Sequence, residues 1–123
     1  GGACGRVTQN NPAGALGSGA LPVLATPAVA ALVEEAAWKS VQPFLAQGQG
    51  TVGTLLRLNH TAATPLGGAV TAETELTAID RRRLVVRFTG RDAAGPGADG
   101  EHERFVVDTG KFLAKAAARG KAE

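Results

Sequence analysis

The sequence predicts an α+β domain in which an antiparallel sheet wraps around one long central helix. Two observations carry that prediction. A single long stretch has helical periodicity and is apolar around much of its circumference, and the segments after it alternate apolar and polar residues in hairpin succession. At 123 residues the chain holds one domain, expected to span 1–123, with enough core to fold without disulfides or metal.

The central helix has the clearest start signal. Thr26 stands at an N-cap position and Pro27 follows at the first helical position, where a missing N–H costs nothing. Val29, Leu32, Val33, Ala36, Ala37, Val41, Phe44 and Leu45 then recur at helical spacing, with alanines in most places between them. A helix so apolar is buried on more than one side. Pro43 kinks or ends it, and Gly48 and Gly50 stop it.

Four strands are predicted next. The first covers 51–59, with Val52, Thr54, Leu56 and Leu58 on one face. The second covers 68–79 and alternates cleanly, Val70, Ala72, Thr74, Leu76 and Ala78 opposing Thr71, Glu73, Glu75 and Thr77. After a turn at Asp80-Arg81 the return strand runs over 84–92, and past a loop at 93–97 the last strand covers 101–107. Asp108 or Thr109 is expected to cap a short final helix that turns Phe112, Leu113, Ala116 and Ala117 inward and ends at Gly120. One helix cannot cover such a sheet and all its edges, so a homodimer is expected.

Composition excludes several classes. Apolar residues make up 44% and charged residues 20%, an ordinary globular usage. No apolar run approaches the ~20 residues of a membrane span. Cys4 is the sole cysteine and His60 and His102 are the only histidines, so no cysteine zinc site and no histidine-rich metal centre is expected. A net charge of +2 with 4% aromatics and no tyrosine gives no support to nucleic-acid binding. The chain has no methionine, so it is expected to be a trimmed or processed form of something longer. Residues 1–20 read as loop or lid, with a strand-capable piece at Arg6-Val7-Thr8-Gln9. The glycines at 14, 17 and 19 lack the Gly-Lys-Ser/Thr of a nucleotide loop, and the start lacks the apolar core of a signal peptide. A cytoplasmic setting is expected.

Several motifs in order carry a resemblance: Leu21-Pro22-Val23-Leu24-Ala25-Thr26-Pro27, Glu34-Glu35-Ala36-Ala37 and Gly50-Thr51-Val52-Gly53-Thr54. They continue through Asn59-His60-Thr61-Ala62-Ala63-Thr64-Pro65-Leu66-Gly67 and Glu101-His102-Glu103-Arg104-Phe105. On them the chain resembles the hot-dog thioesterases related to fluoroacetyl-CoA thioesterase, over roughly residues 14–117. The resemblance implies a hot-dog fold, a homodimer, and hydrolysis of a small acyl-CoA thioester at the subunit interface. CoA is then part of the substrate and no separate cofactor is implied. Aligned without gaps, the family's catalytic threonine, glutamate and histidine fall on Thr26, Glu34 and His60. Its ligand-contacting glycine and arginine fall on Gly53 and Arg104.

Each residue also has a plainer reading. Thr26 lies where helix N–H groups and dipole suit a developing oxyanion, but an N-cap alone explains a threonine before proline. Glu34 interrupts an apolar helix, and a buried carboxylate with raised pKa would serve as base or nucleophile; the plain alternative is a solvated Glu34-Glu35 stripe. Glu35 points about 100° away around the helix. His60 ends a strand, a common structural place for histidine, yet suits a proton shuttle. Gly53 fits either a ligand's close approach or a bulge. His102, on the strand face of Arg104, reads as a supporting group, and Arg104 as a partner of the acyl end or of a catalytic carboxylate.

The CoA phosphates need cations, offered by Lys111, Lys115 and Arg119 along one helix face or by Arg81, Arg82 and Arg83; either set also fits a solvated face. The start is shorter than the family's usual first strand, with Val7-Thr8 as its remnant, and residues 12–25 contain no aromatic gate. The fluoroacetyl substrate is therefore not carried over. The alternatives are a hot-dog protein that binds an acyl-CoA without turnover, which needs no Glu34 and His60 together, and a dehydratase or hydratase, whose Asp/His motif is absent.

Overall fold

The computed structural model describes residues 2–6 (by their backbone), 23, 25–65 and 67–121. A strand β1 (Gly2–Arg6) precedes the helix α1 (Thr26–Val41), which a 3-10 turn at Gln42–Phe44 closes. Strands β2 (Gln49–His60), β3 (Ala69–Asp80), β4 (Arg83–Asp92) and β5 (Gly95–Asp108) follow, then a helix α2 (Thr109–Lys121). The five strands form one antiparallel sheet in the order β1-β3-β4-β5-β2.

The wrapped-helix architecture agrees with expectation. Val29, Val33, Ala36, Ala37 and Val41 recur every three to four residues and are buried. Successive turns of α1 rest on different parts of the sheet: Val29 against Val70 and Ala98, Val33 against Ala72 and Phe88, Val41 against Leu84 and Val106. Burial of Phe88 alone contributes about 2 kcal/mol. Pro43 has no N–H to continue the helix, and the Leu45 N–H closes the turn on the Gln42 carbonyl at 3.1 Å.

The strand order differs from a plain hairpin succession. β2 does not pair with β3; it lies at the far edge against β5, while β3 sits between β1 and β4, with β4 and β5 separating the two. The segment 61–68, with Pro65 and Gly67-Gly68, carries the chain across that gap, and alternation within a strand does not specify which neighbour it takes. The described first strand, β1, lies at Gly2–Arg6; of the strand-capable piece at 6–9 only Arg6 is described, and Val7 to Gln9 and residues 11–22 lie outside the described residues. β5 begins at Gly95, so only Ala93 and Ala94 form the turn predicted as a loop at 93–97. Gly100 within it has φ +156°, and a Cβ there would lie 1.8 Å from the Arg57 carbonyl oxygen, so only glycine lets β2 and β5 close up.

The last helix departs further. α2 runs through Gly120 and is exposed, with Phe112 and Leu113 at 40% and 59% rather than turned inward. It stands over the outer face of β2 and β5, bordering a groove with Val52, Phe105 and Val107. Among the described residues no helix is long and apolar enough to cross a membrane.

Candidate active site

Thr26 does not cap α1. The N-cap is Ala25, which has no side-chain acceptor, and Thr26 lies within the first turn. Its hydroxyl instead meets His60 Nδ1 at 2.9 Å. The helix start also offers fewer free donors than sequence alone implies. Pro27 has no N–H, and those of Ala28 and Val29 both go to the Ala25 carbonyl, at 3.0 and 3.2 Å. The partial positive charge of the helix end remains.

His60 is the last residue of β2, and the chain beyond it is pinned. The N–H groups of Thr61 and Ala62 both donate to the Gly97 carbonyl, at 2.8 and 3.1 Å. Thr64, buried, donates its hydroxyl to Asp92 at 2.7 Å. That hydroxyl, with the Ala94 N–H, holds the Asp92 carboxyl below its usual pKa. The imidazole is thereby presented to the α1 N-terminus from a fixed strand end.

A β-bulge aligns the rest of the site. Gly53 pairs with Arg104, Leu55 with Glu103 and Leu56 with His102, so Thr54 is an extra residue in β2. Without it, Gly53 and Leu56 would point to opposite faces. With it, Gly53 faces α1, as do Leu56 and Leu58, which pack against the core. The expected single face of Val52, Thr54, Leu56 and Leu58 is therefore split, Val52 and Thr54 bordering the outer groove instead.

Around Gly53 three side chains converge. A Cβ at that position would lie 3.1 Å from Glu34 Oε2, 3.2 Å from His102 Cε1 and 3.3 Å from Arg104 Nη1. Arg104 is buried and held firmly: Nε donates to Thr51 Oγ1 at 2.8 Å, Nη2 to the Thr51 carbonyl at 3.0 Å and Nη1 to His102 Nε2 at 3.1 Å. His102 is 1% exposed, with Nδ1 at 2.9 Å from the Leu55 carbonyl. Burial lowers the His102 pKa, the Leu55 carbonyl opposes that, the Arg104 charge adds to it and Glu34 opposes it. Burial also lowers Arg104 from its usual value, against the pull of Glu34.

Glu34 departs from the buried carboxylate expected. Its side chain is 48% exposed, with Oε2 3.7 Å from Arg104 Nη1. It lies beside β2, which is an edge strand, so among the described residues no further strand shields it. Glu35 turns away and pairs with Lys39 one helical turn on. The five candidate residues thus fall into two groups, Thr26 with His60 and Glu34 with Gly53 and Arg104. Sequence reasoning missed Thr51 as a ligand of Arg104, because the contact exists only through the β2–β5 pairing. The signal for His102 was present in the spacing His102-Glu103-Arg104, which puts two long polar side chains on one strand face.

The candidate cations lie elsewhere. Lys115 and Arg119 border the outer groove, across the sheet from Gly53 and Arg104. Arg81 and Arg82 border a depression with Val41, Phe44 and Ile79 beyond the C-terminal end of α1. Among the described residues no group of three or more His, Cys, Asp or Glu side chains could hold a metal ion.

Comparison with known proteins bears on the family and the fold. Residues 7–110 match the family described as fluoroacetyl-CoA-specific thioesterase. A fluoroacetyl-CoA thioesterase from Streptantibioticus cattleyicolor is 40% identical over 93 residues, 76% of this chain and 67% of that protein. The crystal structure of a mutant fluoroacetyl-CoA-specific thioesterase in complex with fluoroacetate and CoA superposes with a TM-score of 0.90 at 32% identity, covering 97% of this chain and 98% of that one. A thioesterase superfamily member from Thermus thermophilus shares the fold, with a TM-score of 0.87 at 23% identity over 100% of this chain and 95% of its own. The chain belongs to the fluoroacetyl-CoA-specific thioesterase family, a family of thioester hydrolases with the hot-dog fold.

Proposed function

We propose that this chain hydrolyses a small acyl-CoA thioester, with Thr26, His60 and Glu34 as catalytic groups and Gly53 and Arg104 binding the acyl end. The observation that carries the reading is the 2.9 Å contact between the Thr26 hydroxyl and His60 Nδ1, made by a hydroxyl with no capping duty. With Nδ1 as acceptor, His60 takes the proton of the Thr26 hydroxyl, or of a water beside it. The freed oxygen attacks the thioester carbon, the C–S bond breaks, and the proton passes to the departing CoA sulfur. If Thr26 attacks, water then cleaves its acyl ester; if water attacks, the acid forms directly. Glu34 supplies a carboxylate as the base for that water or as a nucleophile. The helix dipole and the Arg104 guanidinium stabilise charge on the carbonyl oxygen. No metal or other cofactor takes part, and the cytoplasm, where CoA thioesters turn over, is its setting.

The reading includes a homodimer. Glu34 lies eight residues along α1 from Thr26, about 12 Å at the ordinary helical rise, beyond reach of one carbonyl. Among the described residues β2 is a sheet edge of 12 residues, with Gly53 on it and Glu34 beside it exposed. Antiparallel pairing of β2 with its copy would satisfy that edge and bring Glu34 and Arg104 of one protomer toward Thr26 and His60 of the other.

Thiol release from a panel of acyl-CoA thioesters tests the function. Hydrolysis of at least one short-chain member is expected. Tight CoA binding with no turnover of any member would replace the enzyme with an acyl-CoA-binding protein.

A further inference from the structure

We propose that His102 is the positioning residue that fixes the direction of the Arg104 guanidinium at the acyl site, as an obligatory hydrogen-bond acceptor. The role in turnover rests on the thioesterase reading above; the geometry stands apart from it.

Two contacts fix the proton on His102 independently. A guanidinium carries only donors, so the 3.1 Å contact with Arg104 Nη1 requires a lone pair on His102 Nε2. A carbonyl only accepts, so the 2.9 Å contact with Leu55 requires the proton on Nδ1. Both demand one neutral tautomer. The ring is 1% exposed, so solvent offers neither nitrogen a substitute partner.

The consequence falls on Arg104. Thr51 holds its Nε and Nη2, which fixes one edge of the planar fork. His102 takes one hydrogen of Nη1, and a planar group so held has no rotation left. The other Nη1 hydrogen is directed away from His102, in the space where Nη1 stands 3.7 Å from Glu34 Oε2 and 3.3 Å from a Cβ built on Gly53. With no side chain at Gly53, the tips of Glu34, His102 and Arg104 close directly on bare backbone there. Leu55 lies just past the Thr54 bulge, so the bulge anchors His102 as well as turning β2.

Two substitutions separate the two bonds. His102→Asn keeps a donor near Nδ1 for Leu55 but removes the acceptor from Arg104. His102→Gln keeps an acceptor near Nε2 and gives up the Leu55 anchor. Nitrogen-15 NMR of the side chains gives the direct readout. Native protein at pH 7 is expected to show His102 as the neutral Nδ1–H tautomer, with slowly rotating Arg104 Nη hydrogens. His102→Asn should average those Arg104 signals, and His102→Gln should retain them. In thiol release, His102→Asn should lose about tenfold or more in kcat/KM and His102→Gln only a few-fold. Added to Arg104→Ala, His102→Asn should cause no further loss.

A His102 imidazolium or Nε2–H tautomer in the native protein overturns the proposal. So do unchanged Arg104 signals in His102→Asn, or losses that multiply in the double variant. If the native protein releases no thiol, the thioesterase reading fails, and the NMR result still decides the role of His102.

Discussion

Gly53 and His60 face the same side of β2 only because the Thr54 bulge stands between them. Alternation would otherwise send one toward α1 and the other toward the outer groove. The bulge thus puts both groups of candidate residues on the face of β2 toward α1: the bare backbone against Glu34 and Arg104, and the imidazole beside Thr26.

Adding a side chain at Gly53 is the simplest perturbation. A methyl there meets three atoms at 3.1 to 3.3 Å, one the tip of half-exposed Glu34, the others on the clamped His102 and Arg104. Gly53→Ala is expected to lower kcat/KM by about tenfold or more while the protein stays folded. Circular dichroism and thiol release on the same sample check this; full activity would mean that no ligand comes close to that backbone.

Thr26→Ala separates capping from catalysis. Loss of an N-cap costs about 1 kcal/mol, but the Thr26 hydroxyl caps nothing. Urea unfolding should therefore shift by less than that, while turnover falls by about a hundredfold. A stability loss with turnover intact would reverse the assignment.

The helix, the β3–β4 hairpin and the wrapped architecture were legible because hydrophobic period and turn residues report local structure directly. Thr26 was legible as a helix start but not as a partner of His60, since one residue type serves both roles. Glu34 looked buried because its neighbours Val33, Ala36 and Ala37 are, and among the described residues the edge position of β2 leaves it open. The pairing of β2 with β5 was not readable, because alternation sets a strand's faces and not its neighbours. The bulge and the Thr51–Arg104 contact depend on that pairing and were hidden with it.

Stability should respond to pH through His102. Its folded pKa lies below the usual 6.5, because the ring is buried and faces Arg104 on β5, with Glu34 on α1 and the Leu55 carbonyl on β2 opposing. Above both values neither state binds the proton. Between them only the unfolded chain does, so stability falls as pH drops below about 6.5, and the loss levels off under the folded value. Urea midpoints from pH 8 to pH 5 should therefore drop more for the native protein than for His102→Gln. Parallel curves would contradict the buried neutral ring.

Gly100→Ala should prevent close pairing of β2 and β5. The Cβ would overlap the Arg57 carbonyl at 1.8 Å, with the backbone at φ +156°. A loss well above the ~1 kcal/mol of an average substitution is expected in chemical denaturation. A near-neutral change would mean that the two strands are not held at this register.

Complementation between protomers tests the two-copy site. His60→Ala and Glu34→Gln chains, each inactive alone, should regain activity when unfolded and refolded together, because each mixed dimer then holds one intact set of groups. Mixtures as inactive as their parts would put the whole site in a single chain.

The central claim is thioester hydrolysis that needs the Glu34 carboxylate, and the most direct measurement is thiol release from acyl-CoA thioesters by the native protein beside Glu34→Gln. The expected result is turnover of at least one thioester that the variant loses by about a hundredfold or more, with folding unchanged. Equal rates in both proteins would contradict it.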